Sequence, residues 1–326
     1  MQKIKTKLVY PIFISHIGCP NQCIFCNQYS ITKVISIDWE KTKEDIKRFV
    51  NKHNGKYKEI AFFGGSFTSL SEEYMQELFD KISPCLDETT FFRVSCRPDA
   101  INQEILNFLR KNKVKTIELG IQSFSDIELL KSKRGYTKEI ALKSCMLIKQ
   151  NDFMLGLQFL IGLPNFSSHT FEETLQTTLS INPEYIRLYP LLVLNNTELE
   201  TLYKSNLYSP LTLEEAVEKC VYFAKKISQT DIVIIKIGLH SDININKQEV
   251  VAGPYHPNFG ESIKGRLLAE KIITYLKHKD LMELHISDST ASQLFTMNSY
   301  SLNYIEKTLK KKIKIYIDKY AKKQYR

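Results

Sequence analysis

The chain has 326 residues, 43% of them hydrophobic and 25% charged, a composition that excludes global disorder, a collagen-like or coiled-coil rod and a disulfide-stapled mini-protein. Its formal charge of +9 is unevenly spread, with nine Lys or Arg against two acids between 306 and 326, so the basicity belongs to one segment and not to the whole surface. Two long uncharged stretches, 8–32 and 153–171, are broken by Pro11, Pro20 and Pro164 and by polar residues, which excludes membrane helices there and leaves a cytoplasmic protein as the expectation.

Short apolar runs alternate with helix-period segments from residue 7 to beyond 190, the pattern of repeated βα units on a parallel sheet. Strands are predicted at 8–15, 59–63, 91–95, 116–121, 154–161 and 185–189, with helices at 41–51, 72–82, 102–112, 138–150 and 171–181 between them. Ser71, Thr137, Thr170 and Thr212 stand just before acid-bearing turns and mark helix starts. A further helix at 212–228 and an apolar run at 232–237 follow, and the alternation stops in a polar loop at 244–248. The expected fold class is α/β: a partial (β/α)6 TIM-type barrel over 1–240 and a small α-rich extension over 241–326. In that extension Ile305, Leu309, Ile313, Ile317 and Tyr320 recur at helical spacing. They predict an amphipathic helix that displays Lys310, Lys311, Lys314 and Arg326, either as a solvated face or as a phosphate-binding one.

Of seven cysteines, Cys85, Cys96, Cys145 and Cys220 are scattered, whereas Cys19, Cys23 and Cys26 form a C-x3-C-x2-C run just after the first strand. Three thiols bunched in a Gly/Pro/Asn-rich loop point to a metal site more than to three unrelated buried residues. Structural zinc would ask for a fourth ligand, for which His16 is at hand. An iron–sulfur cluster of four irons usually takes four cysteines, so three would leave one iron open.

This run, in a loop after strand 1 of a (β/α)6 chain, resembles the radical S-adenosylmethionine (SAM) enzymes. The resemblance implies that Cys19, Cys23 and Cys26 hold a [4Fe–4S] cluster whose remaining iron is chelated by SAM. It implies too that one electron passed to the sulfonium yields a 5′-deoxyadenosyl radical, which abstracts hydrogen from substrate. His16-Ile17-Gly18-Cys19-Pro20, Phe25-Cys26-Asn27-Gln28, Gly64-Gly65-Ser66-Phe67, Ser95-Cys96-Arg97-Pro98-Asp99 and Glu118-Leu119-Gly120-Ile121-Gln122-Ser123 are similar to the Elongator catalytic-subunit branch. Gly162-Leu163-Pro164 and Leu188-Tyr189-Pro190 extend the likeness, which covers roughly 7–240. Ser66 stands where many of these enzymes have Glu. On this resemblance Gly64, Gly65 and Ser66 face the methionine end of SAM, Gln122 the ribose and Gly162 the adenine; Arg97 meets a carboxylate, or simply pairs with Asp99.

About 85 residues remain after His240, short for the acetyltransferase domain of Elongator-type enzymes, so a stand-alone form with an open substrate is expected. The Gly/Pro-framed turn at 252–261 presents Tyr255 and His256 as catalytic candidates at the barrel mouth, or as a plain loop. Expected partners are SAM, an electron donor such as flavodoxin or ferredoxin, and tRNA through the C-terminal basic helix. A radical SAM enzyme of small metabolites or tetrapyrroles, and a non-catalytic cluster or heme carrier, are the competing readings.

Overall fold

The computed structural model describes residues 8–14, 18–20, 22–27, 36–238, 249–279 and 282–318. His16, the loop at 244–248, Tyr320 and Arg326 lie outside the described residues. The strands β1 (Leu8–Phe13), β2 (Lys58–Phe63), β3 (Thr90–Cys96), β4 (Val114–Gln122), β5 (Met154–Ile161) and β6 (Tyr185–Pro190) pair in chain order, all parallel. After a short strand β7 (Val193–Leu194) that leaves the sheet, the apolar run at 232–237 becomes β8 (Val233–Ile237) and pairs with β6. The result is a seven-stranded parallel sheet curled into a half-barrel, one strand more than the six-unit count expected.

Between the strands run α1 (Trp39–Lys52), α2 (Glu72–Ile82), α3 (Gln103–Lys111), α4 (Asp126–Lys131), α5 (Lys138–Gln150), α6 (Ser168–Ile181), α7 (Glu198–Lys204) and α8 (Leu213–Ile227). Ser71, Asn102, Thr137 and Thr212 each accept a backbone N–H from the first turn and so fix where a helix begins. Thr170 does not begin one. Ser167 caps α6, and Thr170 is the third helical residue, its hydroxyl accepting from the Ser167 N–H at 2.9 Å in a reciprocal capping box.

Because successive strand residues alternate faces, each strand is divided between two environments. Ile60, Phe62, Phe92, Val94, Ile117, Leu119, Leu155, Leu157, Phe159, Ile186 and Leu188 are buried in the main core, where Phe79 of α2 and Phe223 of α8 meet the strand aromatics. Burying each such large side chain stabilises by about 1.5–3 kcal/mol. The alternate residues Glu59, Arg93, Thr116, Glu118, Gln158, Tyr185 and Arg187 instead turn to one another across the strands. A parallel sheet with polar residues on its inner face is a barrel with a built interior.

Beyond the barrel, β9 (Val250–Ala252) pairs antiparallel with β7. The helix α9 (Phe259–Lys279) contributes Phe259 and Ile263 to the main core. Its second half supplies Ala269, Ile272, Ile273 and Leu276 to another core, shared with β10 (Glu283–Ile286), α10 (Asp288–Leu309) and β11 (Lys314–Ile317). The extension thus carries strands as well as helices, and the predicted basic helix is corrected. The helix α10 stops at Leu309, Lys310 adopts a left-handed φ of 53°, and 314–317 pair in parallel with β10. Two periods compete in this stretch: Ile305, Leu309 and Ile313 fit a helix, whereas Ile313, Ile315 and Ile317 alternate with polar residues as in a strand. Pairing with β10 decides for the strand.

Candidate functional site

The cysteine loop leaves β1 at the carboxyl end of the sheet, where parallel α/β folds bind their ligands. Gly18 has φ of 78°, and a Cβ there would lie 2.4 Å from the Ser66 carbonyl oxygen. Only glycine therefore lets the cysteine loop press against the turn after β2. That turn holds Gly64 and Gly65, both half-buried, and Ser66, which is fully buried. The Ser66 hydroxyl lies 2.8 Å from that of Ser69 and accepts the Arg97 N–H at 3.2 Å. The glycine pair and the residues after β3 are thereby brought against the cysteines, as expected from their order along the chain.

Two buried guanidiniums line this junction. Arg134 donates from Nη1 to the Cys23 sulfur at 2.9 Å, and from Nη2 to the Gly120 carbonyl at 2.5 Å and the Tyr136 hydroxyl at 2.9 Å. Tyr136 in turn donates to the Gly120 and Ile121 carbonyls at 2.9 Å. Burial pulls the Arg134 guanidinium down, but Tyr136 and Cys23 outweigh it and hold it charged. Arg97 is 4% exposed and forks onto Asp99, with Nε at 2.9 Å and Nη2 at 2.8 Å, while Nη2 also reaches the Arg134 carbonyl. Its Nη1 is buried and has no partner among the described residues. The Arg97–Asp99 pair foreseen as an alternative therefore exists, yet it uses one edge of the guanidinium and leaves a buried donor open.

The thiols differ in environment. Cys96, Cys145 and Cys220 face helices and sheet, and burial pushes each up to about 12, which keeps them inert. Cys19 is raised by burial and by the neighbouring Cys23, with Arg97 and Arg134 pulling the other way. The two guanidiniums offset that rise only in part, and the net effect leaves the Cys19 thiol raised. Cys26 is tied back by its N–H to the Cys23 carbonyl at 3.0 Å, and Asn27 donates to the Asn195 carbonyl at 2.9 Å, clamping the loop to the segment after β7.

Gln122 ends β4 with φ of 69°, a left-handed backbone that a non-glycine residue adopts at some cost and that points to a functional site. A Cβ on Gly120 would lie 2.9 Å from the Gln122 amide nitrogen, so this glycine makes the space that the Gln122 side chain uses. Gly162, with φ of 100°, accepts a hydrogen bond from the Tyr208 hydroxyl at 2.7 Å and edges a cavity of about 220 Å³ that Pro164 and Leu211 also line. The β7–β9 pairing brings Gly253 against Leu191, whose N–H bonds the Ile161 carbonyl at the end of β5, and Tyr255 follows with its N–H bonded to the Gly253 carbonyl at 2.8 Å. His256 Nδ1 accepts the Asn258 N–H at 3.0 Å, so one ring nitrogen already serves the turn before α9.

Arg134 and Tyr136 were not foreseen. In sequence Arg134 sits in a Lys-Ser-Lys-Arg-Gly turn that reads as solvated surface. The available signal was Thr137: a residue just before the start of a barrel helix lies at the same end of the sheet as the strand carboxyl termini.

Among the described residues no three His, Cys, Asp or Glu side chains converge as ligands of a single ion. A four-iron cluster asks for something else, one thiolate on each of several irons with hydrogen bonds to sulfur. Three cysteines on one loop, a guanidinium on Cys23, the orphaned Arg97 Nη1 and the adjoining Gly64–Gly65 fit a cluster with a carboxylate-bearing ligand beside it.

Comparison with known proteins agrees. The family model described as the radical SAM superfamily matches residues 13–178, and that of the radical SAM C-terminal domain matches 183–269. The chain is 28% identical over 195 residues to the tRNA uridine(34) acetyltransferase of Methanocaldococcus jannaschii, covering 52% of this chain and 35% of that protein. It is 30% identical over 164 residues to the heme chaperone HemW of Bacillus subtilis, covering 49% and 43%. The chain thus spans less than half the length of these curated relatives. The structure of Methanocaldococcus infernus Elp3 with an N-terminal deletion superposes with a TM-score of 0.63 at 20% identity, covering 85% of this chain and 64% of that one, a likeness of fold. No helix among the described residues is long and apolar enough to cross a membrane.

Proposed function

The chain belongs to the radical SAM superfamily, and from that premise we propose that Cys19, Cys23 and Cys26 hold a [4Fe–4S] cluster with SAM on its open iron, in an enzyme that acts on RNA. The cluster and SAM, when bound, supply a one-electron cleavage of the SAM carbon–sulfur bond and hydrogen abstraction from substrate. Arg134 donates to the Cys23 sulfur and fixes its direction. The open Arg97 Nη1 donates to the SAM carboxylate, while Gly64, Gly65 and Ser66 leave backbone exposed along the methionine end. The Gln122 amide both donates to and accepts from ribose hydroxyls, and the cavity beside Gly162 takes the adenine. Tyr255 and His256, in the turn before α9, exclude water and face the substrate. In this reading 1–240 form the catalytic barrel and 241–326 an extension, joined by α9.

The observation that carries the proposal is the Arg134–Cys23 contact beside an Arg97 Nη1 that has no partner among the described residues. Resemblance to a tRNA-modifying enzyme supports RNA as substrate, with a flavodoxin or ferredoxin as electron donor in the cytoplasm, where thiols stay reduced. Identity to a heme chaperone favours a second reading, a cluster protein that carries heme.

The test is anaerobic reconstitution with iron and sulfide, then reduction with SAM present and quantification of 5′-deoxyadenosine. Formation by the native chain, and none by the Cys19→Ala, Cys23→Ala, Cys26→Ala triple variant, is expected. A protein that binds iron and heme yet forms no deoxyadenosine with any RNA fraction would overturn the enzymatic reading in favour of the carrier.

A further inference from the structure

The second core carries a face that neither the fold nor the proposed chemistry uses. Parallel pairing sets Glu283 against Lys314, Leu284 against Ile315, His285 against Tyr316 and Ile286 against Ile317. Leu284 and Ile286 are buried, so the alternate positions, His285 and Tyr316 among them, point outward. The two rings stack with centroids 4.9 Å apart and planes 18° from parallel, and Tyr316 is still 44% exposed.

Lysines crowd the approach to this pair. Lys310, Lys311 and Lys312 follow the end of α10 and are exposed, and Lys314 enters the strand two residues before Tyr316. The nearby acids offset two of the four and leave Lys310 and Lys311, which have no ion pair among the described residues. Glu306 is occupied by Lys312 at 2.8 Å and by the Ile313 N–H at 3.1 Å, and Glu283 lies 3.7 Å from Lys314. A solvated lysine turn needs no aromatic platform beside it, and an anionic membrane gains nothing from two rings stacked across a sheet. A polyanion with flat bases uses both.

We propose that this face binds single-stranded RNA, an unpaired base stacking on the Tyr316–His285 pair while adjoining phosphates meet Lys310, Lys311 and Lys312. The proposal rests on the reading of the chain as an RNA-acting enzyme and supplies that enzyme with its substrate-docking surface, on two strands where a basic helix was expected.

The test uses the reconstituted protein and a fluorescein-labelled single-stranded RNA of about ten nucleotides, with binding followed by anisotropy from about 50 to 200 mM salt. Tyr316→Ala weakens binding about 5- to 100-fold at unchanged salt slope, since base stacking on an aromatic is sequence-tolerant and uncharged. Tyr316→Phe, which keeps the ring, binds like the native protein. Replacing Lys310, Lys311 and Lys312 by Ala flattens the slope of log affinity against log salt by about two units. Native affinity in Tyr316→Ala overturns the proposal, as does tighter binding of duplex RNA or anionic vesicles than of the single strand. Deoxyadenosine formation measured on the same samples separates the two claims. Cleavage without RNA binding removes only this surface, and RNA binding without cleavage removes the catalytic reading.

Discussion

The barrel floor and the barrel mouth are built from the same kinds of residue, and they differ in how completely those residues satisfy one another. On the floor, Glu59 accepts from Arg93 Nε at 2.9 Å and from the Tyr57 hydroxyl at 2.8 Å, with Arg93 Nη2 and Thr116 closer still. Glu118 takes Tyr185 at 2.9 Å, Arg93 Nη1 at 3.5 Å and Gln158, and its ion pair with Arg187 Nε spans 2.8 Å. Burial alone would raise the Glu118 carboxyl, but Arg187 and Arg93 outweigh it and hold it below its ordinary value. At the mouth, Arg97 keeps one buried N–H open and Arg134 leans on a thiol. A buried donor without a partner costs free energy unless something else supplies the acceptor. On the floor each buried charge faces an opposite one, Arg187 Nε included although it makes no hydrogen bond, whereas the Arg97 Nη1 at the mouth has no acceptor among the described residues and is the donor a ligand's carboxylate would meet.

The sharpest way to break this contrast is to open the floor. Glu118→Gln leaves Arg93 and Arg187 facing each other in the interior without the carboxylate between them, and is expected to cost about 3–5 kcal/mol of stability. Urea unfolding of the native chain and the variant measures this directly. A loss below about 1 kcal/mol would show that the inner-face network is not what holds β3, β4 and β6 in place.

The mouth should respond the other way round. Arg134→Met is expected to leave a folded, iron-loaded protein whose rate of deoxyadenosine formation falls about 10- to 100-fold, the usual effect of removing a hydrogen bond to a metal-ligating group. Arg134→Lys recovers part of the rate by restoring charge without the planar fork. Equal rates with a large loss of stability would make Arg134 an extension of the floor.

How much of this was legible in sequence follows from the range of each signal. Strand and helix alternation is local, so β2 to β6 and α2, α3 and α5 stand within a few residues of where periodicity puts them. The three cysteines and the glycine pair were legible because their chemistry is written in consecutive residues. Arg134 was not: its partner Cys23 is 111 residues away, and only the barrel's closure of strand ends brings them together. The polar alternation of Glu59, Arg93, Glu118 and Arg187 lies in plain view along the strands, but a single strand cannot reveal that its neighbours carry the opposite charge. At 313–317 the reading failed because two periods fit the same isoleucines and a tertiary contact with β10 chose between them.

The smallest effect sharpens the comparison at the lower end of the floor, where β2 begins. Lys58 is fully buried and donates to Asp87 at 2.7 Å, to the Thr89 hydroxyl at 2.8 Å and to the His53 and Lys56 carbonyls at 3.2 and 3.1 Å. Burial would raise the Asp87 carboxyl, but hydrogen bonds from Lys58, Thr90 and Thr89 carry it down to about 2. A carboxyl depressed in the folded state contributes stability that is fully present above its unfolded value near 4 and is lost as pH falls toward 2. The native chain should therefore be more stable than Asp87→Asn by a constant margin above about pH 5, and that margin should shrink as the pH is lowered. Urea midpoints on the iron-free chain between about pH 5.5 and 3 read this margin. A gap that stayed constant across the window would mean that Asp87 holds Lys58 by position and not by charge, and that the floor's closure depends on its arginines alone.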